Sequence, residues 1–333
     1  MKRLTILLLS AWTLVICSCS SSKNAFEETD DGPRIGLVLG GGGAKAAAEI
    51  GVLKWIDENN IPISYIAGSS MGAVVGGLYA SGYSAKEIEA MWLGEDWLTL
   101  FKTSAIGKRN GKRNAIGLIP GNEFEIQLRQ KVNGKKFGET KIPFCCTATR
   151  IKNDESLDTV IIERDDLSRG IRASMTFPAP GVYKPIEHLG MTLADGGMIN
   201  NLPIDLLKDK KINGRGLDLI IVVDLEVDED DPLLSSIPKA IARKLRNIPG
   251  VDLILDVTKT TWLANWLEVR PDIEKHKKNV YLAETDESMV YLHPNLKGFN
   301  IGCFKNDAAN RMILNGMDAA IQNQQKILNL FNK

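Results

Sequence analysis

The chain has 333 residues, 44% of them hydrophobic and 25% charged, which is ordinary for a globular protein and enough for one large α/β domain or two small ones. Its 41 basic and 41 acidic residues cancel, so the broad positive field of a general nucleic-acid binder is missing and no nucleic-acid partner is expected. Cys145, Cys146 and Cys303 and the histidines His188, His276 and His293 show no metal-ligand spacing, so neither a metal nor another cofactor is expected.

At the start, Lys2 and Arg3 precede an apolar run from Leu4 to Ile16, broken only by Ser10 and Thr13. This is a charged n-region and an h-region too short to span a bilayer as a stable helix. The following Ile16-Cys17-Ser18-Cys19 resembles the bacterial lipoprotein signal, with an aliphatic residue three places before the modified cysteine and a small one directly before it. Residues 1–18 are therefore expected to be a signal peptide and Cys19 the lipidated first residue, with ordinary secretion or an uncleaved anchor as alternatives. Residues 19–32 are polar and read as a tether. The implied location is the cell envelope, lipid-anchored at a bacterial outer membrane; the alternative is secreted or periplasmic.

Arg34 to Leu39 reads as a buried parallel strand running into Gly40-Gly41-Gly42-Gly43-Ala44-Lys45, with a helix from Ala46 to Ile56 beyond. Glycines at a helix start leave backbone N–H groups bare for negative charge. A Walker-type phosphate loop would need Ser or Thr after Lys45, where Ala46 stands, and a dinucleotide loop would need spaced glycines. The third use is an oxyanion hole, which requires a nucleophile nearby.

A second strand, Ile61 to Ala67, leads into Gly68-Ser69-Ser70-Met71-Gly72 and a helix from Met71 to Ser81. Gly-x-Ser-x-Gly between strand and helix is the pattern of a nucleophile elbow, where small residues two places either side of the serine let the elements cross closely. At this composition chance alone supplies roughly 0.2 such pentads, so context must decide. Ser84 is expected to cap a helix from Ala85 to Met91. Residues 98–120, with Lys102, Lys108, Arg109, Lys112 and Arg113 among glycines, read as a mobile lid or a solvated connector. A helix over Glu123 to Val132 follows.

Ile142 to Thr149 is a further strand, placing Cys145 and Cys146 on opposite faces, with Thr159 to Ile162 as its hairpin partner. Next come a helix over Leu167 to Ser174, a strand over Met191 to Ala194 ending in Asp195-Gly196-Gly197, the run Asn200-Asn201-Leu202-Pro203, and a strand over Leu217 to Leu225. The alternation predicts a three-layer α/β/α domain with a mostly parallel central sheet over residues 33–230. Residues 231–333 read as a largely helical part packed on the same domain. There Leu234, Ile237, Ile241 and Leu245 form a core-facing stripe, Val280 to Ala283 a last strand, and Ala308 to Leu330 a terminal helix.

Ser70 needs a base. Each histidine reads as a surface residue, whereas Asp195 ends a strand at the sheet edge where the elbow opens and could take the proton itself. The bland alternative for Asp195 is an Asx turn closing the strand. From Arg34 to Leu225 the sequence resembles the patatin-like phospholipase family in four ordered blocks: Gly41-Gly42-Gly43-Ala44-Lys45, Gly68-Ser69-Ser70-Met71-Gly72, Arg172-Ala173-Ser174-Met175-Thr176-Phe177-Pro178, and Asp195-Gly196-Gly197. The resemblance implies a patatin-like fold and a metal-free Ser-Asp acyl hydrolase. Ser70 would be nucleophile, Asp195 base, and Gly41, Gly42, Gly43 and Lys45 the oxyanion block. Implied partners are membrane lipids or lipid-like esters; the alternatives are an acyltransferase on the same residues or a lipid-binding lipoprotein. Two departures stand out: Ala46 replaces the glycine usual after the lysine, and Glu49 replaces the histidine common in bacterial members.

Overall fold

The computed structural model of the protein describes residues 32–94, 108–109, 112–113, 122–177, 185–211, 214, 216–225 and 271–329. The signal peptide, Cys19, the tether up to residue 31 and the stripe at 234–245 lie outside the described residues. So does most of the 98–120 stretch, of which only the ladder of β3 (Lys108–Arg109) with β4 (Lys112–Arg113) is described.

In chain order, β1 (Ile35–Leu39) leads through a 3₁₀ turn (Gly43–Ala46) to α1 (Ala47–Glu58), and β2 (Ile63–Ser69) leads directly to α2 (Met71–Ala80). Then come α3 (Ala85–Leu93), the β3–β4 ladder, α4 (Asn122–Lys131), β5 (Phe144–Ile151), β6 (Leu157–Ile162) and α5 (Leu167–Ser174). The chain continues with β7 (Ile186–His188), β8 (Met191–Asp195), α6 (Asp205–Lys208), β9 (Leu219–Val223), α7 (Pro271–Thr285), β10 (Met289–Leu292) and α8 (Asn306–Leu328). Ser84 caps α3 as expected, its hydroxyl accepting from the Glu87 N–H while Glu87 reaches back to the Ser84 N–H.

Five strands, ordered β10-β9-β1-β2-β5, run parallel. Their side chains alternate between two cores. Ile35, Leu37, Leu39, Ile66, Cys146, Ile221 and Val290 face one, which holds α1 to α5 and α8; Val38, Ala67, Cys145, Ile220, Val222 and Met289 face the other, under α6 and α7. This is the three-layer α/β/α arrangement, and it puts the two neighbouring cysteines on opposite faces. Both are buried and all three described cysteines are free thiols.

β5 decides where the site forms. Its residues 146–151 pair with β6 on one edge. On the other edge Phe144 to Thr147 pair with β2 in parallel, and Ala148 to Ile151 pair with β8 antiparallel. β2 and β8 therefore lie end to end along one edge of β5, pointing at each other. Ser69 is opposite Thr147 and Asp195 is opposite Ala148, so the two strand ends abut.

Close helix contacts carry the rest. α1 crosses α8 through glycines: a Cβ on Gly51 would lie 1.9 Å from the Ile313 oxygen, and one on Gly316 would lie 1.8 Å from the Ala48 oxygen.

One expectation is corrected. Val280 to Ala283 belong to α7, and the last strand is β10. A four-residue apolar run does not separate strand from helix. The buried face here includes Asn279 and Ala283, one helical turn apart, while Tyr281 is exposed; a polar residue on the buried face hid the helical period.

Candidate active site

Ser70 links β2 to α2 with φ 51° and ψ −124°, a conformation side chains rarely adopt. The neighbours make it possible. A Cβ on Gly68 would sit 2.7 Å from the Ala73 Cα, and one on Gly72 would sit 2.5 Å from the Leu39 and Gly40 oxygens. Only glycine at both places lets strand, helix and the end of β1 approach this closely. The Ser70 N–H donates to the Ser174 hydroxyl at 3.0 Å, which fixes the elbow from α5. The Ser70 hydroxyl makes no cap bond to α2 and instead donates to Asp195 Oδ2 at 2.7 Å.

Asp195 is held by its own backbone. Its N–H donates to the Thr176 carbonyl at 2.9 Å and its carbonyl accepts from the Thr149 hydroxyl at 2.8 Å. Oδ1 accepts from the Gly197 N–H at 2.8 Å. The side chain is 2% exposed, and burial pushes its carboxyl up to about 7, with the hydrogen bonds from Ser70 and Gly197 pulling the other way. The result is a carboxyl that changes charge near neutrality, bonded to a strained serine at the head of a helix.

The glycine loop closes the third side. The Gly40 N–H donates to the Val223 carbonyl and the Gly41 N–H to the Asn201 carbonyl, each at 3.1 Å. Asn201 Nδ2 donates to the Gly41 carbonyl at 2.9 Å. The N–H groups of Ala44 and Lys45 are bonded to the carbonyls of Ile301 and Gly42. Among the described residues, no acceptor takes the N–H of Gly42 or Gly43. Gly41 thus contributes space rather than a donor: a Cβ there would lie 2.9 Å from the Ser70 Cβ. Lys45 is buried in the 3₁₀ turn behind the loop.

His293 is exposed as expected, whereas His188 and His276 differ from the surface reading. His188 sits in the β7–β8 hairpin but is buried, and desolvation lowers its pKa. His276 lies on α7 with Nε2 3.2 Å from Oδ2 of Asp224, a buried carboxylate that also accepts from the Tyr291 hydroxyl at 2.7 Å. Composition around His276 is heavily charged, which concealed a partner 52 residues earlier in the chain. Glu49 is fully buried, and among the described residues neither carboxyl oxygen has a hydrogen-bond partner; burial pushes it well above the usual carboxylate range. The sequence alone does not give the roles of Ser174 and Asn201. Both stood in runs already singled out, but nothing local tells which polar group of a run reaches across to another segment.

A family model of patatin-like phospholipases matches residues 37–208, more than half of the chain. The chain belongs to the patatin-like phospholipase family. An uncharacterized NTE family protein of Mycobacterium tuberculosis is 33% identical over 227 residues, covering 68% of this chain and 59% of that protein. Lysophospholipase NTE1 of Candida albicans is 32% identical over 206 residues, covering 60% of this chain and 14% of that protein. The patatin-like chain thus spans well under two thirds of the length of these relatives. Among solved structures, VipD from Legionella pneumophila aligns over 86% of this chain and 66% of its own with TM-score 0.42 and 13% identity. The type III effector ExoU aligns over 88% and 53% with TM-score 0.40 and 14% identity. The four blocks noted in the sequence are the segments that carry Ser70, Asp195, the glycine loop and Ser174.

Proposed function

We propose that this protein is a serine acyl hydrolase that cleaves ester bonds of phospholipids or related lipids through a Ser70–Asp195 dyad. The observation that carries the reading is the 2.7 Å hydrogen bond from the Ser70 hydroxyl to Asp195 at a strained elbow. Membership of the patatin-like phospholipase family supports the lipid substrate class.

In this mechanism ionised Asp195 takes the hydroxyl proton through Oδ2 as Ser70 Oγ attacks the ester carbonyl carbon. The carbonyl π pair moves to oxygen, and the N–H groups of Gly42 and Gly43 stabilise that oxyanion. Collapse expels the alcohol, which takes the proton from Asp195, and leaves an acyl ester on Ser70. Asp195 then deprotonates a water that attacks this ester; the acid leaves and Ser70 regains its proton. Positioned proton transfer typically contributes about 10²–10⁴-fold and each oxyanion donor about 10²–10³-fold. Oδ1 accepts from the Gly197 N–H while Oδ2 faces the Ser70 hydroxyl, so one oxygen orients the carboxyl and the other handles the proton.

The test is covalent labelling by a fluorophosphonate together with hydrolysis of short-chain nitrophenyl esters and a phospholipid panel. The wild type should label and turn over, and Ser70→Ala should do neither. Labelling that survives the substitution removes Ser70 as nucleophile.

A further inference from the structure

Asn201 occupies an unusual place between the two halves of the site. Its carbonyl accepts the Gly41 N–H at 3.1 Å and its side-chain Nδ2 donates to the Gly41 carbonyl at 2.9 Å, so both backbone groups of one glycine are held by one residue. The same side chain presses on the turn after Asp195. A Cβ on Gly41 would lie 2.3 Å from Asn201 Oδ1, and a Cβ on Gly197 would lie 2.6 Å from that same atom. The absence of side chains at Gly41 and Gly197 is therefore explained by one amide filling the space between them. Asn201 is itself braced. Its neighbour Asn200 is buried and donates to Asp205 at 2.8 Å, and Asn279 of α7 donates to the Leu202 carbonyl at 2.7 Å.

The consequence follows from peptide planarity. The Gly41 carbonyl and the Gly42 N–H belong to one trans peptide unit and point to opposite sides of it. Holding the carbonyl fixes where the N–H points. Glycine either side leaves this unit otherwise free to rotate.

We propose that Asn201 is a positioning residue that fixes the Gly41–Gly42 peptide plane, so that the Gly42 N–H stands preorganised for the oxyanion and in constant register with Asp195. The inference rests on the acyl hydrolase reading above and adds a residue to it. Preorganised donors act without reorganising at the moment of reaction, so losing the hold should affect the transition state rather than ground-state binding.

The experiment compares Asn201→Leu, nearly equal in size but without the donor, and Asn201→Ala with the wild-type full chain. Readouts are kcat and KM on a nitrophenyl ester, inhibition by a trifluoromethyl ketone, whose serine adduct carries an oxyanion, and the pH profile. Both variants should lose about 10²-fold in kcat, the range for one oxyanion donor, with KM within about threefold. Their trifluoromethyl ketone Ki should rise in step with the fall in kcat/KM, and the acid limb of the profile should stay in place because Asp195 is untouched. Turnover within about twofold of wild type in both variants would overturn the inference. So would a loss confined to KM, or loss of the folded state in both, which would make Asn201 a determinant of the fold instead. A wild type that neither labels with fluorophosphonate nor hydrolyses any ester overturns the hydrolase reading itself, and this inference with it.

Discussion

Replacing Asp195 by asparagine should remove activity and, at neutral to alkaline pH, stabilise the protein. An asparagine side chain preserves the shape, can still accept the Gly197 N–H, and brings no charge into a site that is 2% exposed. The magnitude comes from proton linkage. Below the ordinary carboxylate value of 3.8 both folded and unfolded states hold the proton and the residue makes no difference. Between 3.8 and about 7 the unfolded chain has released its proton while the folded one keeps it, so rising pH favours unfolding by about 1.4 kcal/mol per pH unit. Above about 7 the penalty is complete, roughly 4 kcal/mol across that interval. The Asp195→Asn variant carries none of it. The assay is chemical denaturation of both proteins from about pH 4 to about pH 8.5, which brackets the titration. The stability gap should be small at the acid end, widen steadily in favour of the variant, and level off above about pH 7. In parallel, wild-type kcat/KM should fall about tenfold per pH unit below about 7, because only ionised Asp195 can accept the proton. A stability gap that does not change with pH would refute the reasoning, since it would mean the carboxyl is not held above its ordinary value.

Three further outcomes follow from packing. Gly41→Ala places a methyl 2.9 Å from the Ser70 Cβ and 2.3 Å from Asn201 Oδ1, so ester turnover should drop by about 10²-fold or more while circular dichroism stays native. Glu49→Met replaces a fully buried carboxyl without a hydrogen-bond partner among the described residues by an apolar chain of similar length. It should raise stability at about pH 8 by about 1–3 kcal/mol in urea denaturation, with a smaller gain at acid pH where the carboxyl is neutral in both states. Gly316→Ala drives a methyl into the Ala48 carbonyl at 1.8 Å; α1 and α8 must separate, and thermal unfolding should report a loss of about 1–3 kcal/mol or more.

Much of the fold was legible. The strands at 35–39, 63–69, 144–151 and 219–223 announce themselves as short apolar runs because strands of a covered parallel sheet are buried on both faces, while antiparallel 191–195 is marked by the Asp195-Gly196-Gly197 that ends it. Ser70 and Asp195 were legible for a related reason: glycines at 68 and 72 and at 196 and 197 are needed by backbone that has no room for a Cβ, and such needs leave a local mark. Val280 to Ala283 were misread because a run shorter than two helical turns carries no period, and because Asn279 is polar and buried.

What the sequence by itself determined is the inventory: a serine on an elbow, an aspartate at a strand end, a donor loop before a helix, each written in residues adjacent along the chain. Only the tertiary structure decided how they meet. β2 and β8 share one edge of β5 head to head, which brings Ser70 within 2.7 Å of a residue 125 places away. It also decided the charge behaviour, since Asp195 is lifted to about 7 by burial under neighbours from distant segments, and it placed Asn201 between Gly41 and Gly197. Backbone constraints are local and leave a trace in neighbouring residues; desolvation and long-range hydrogen bonds depend on what surrounds an atom in space, and no short stretch of chain contains that.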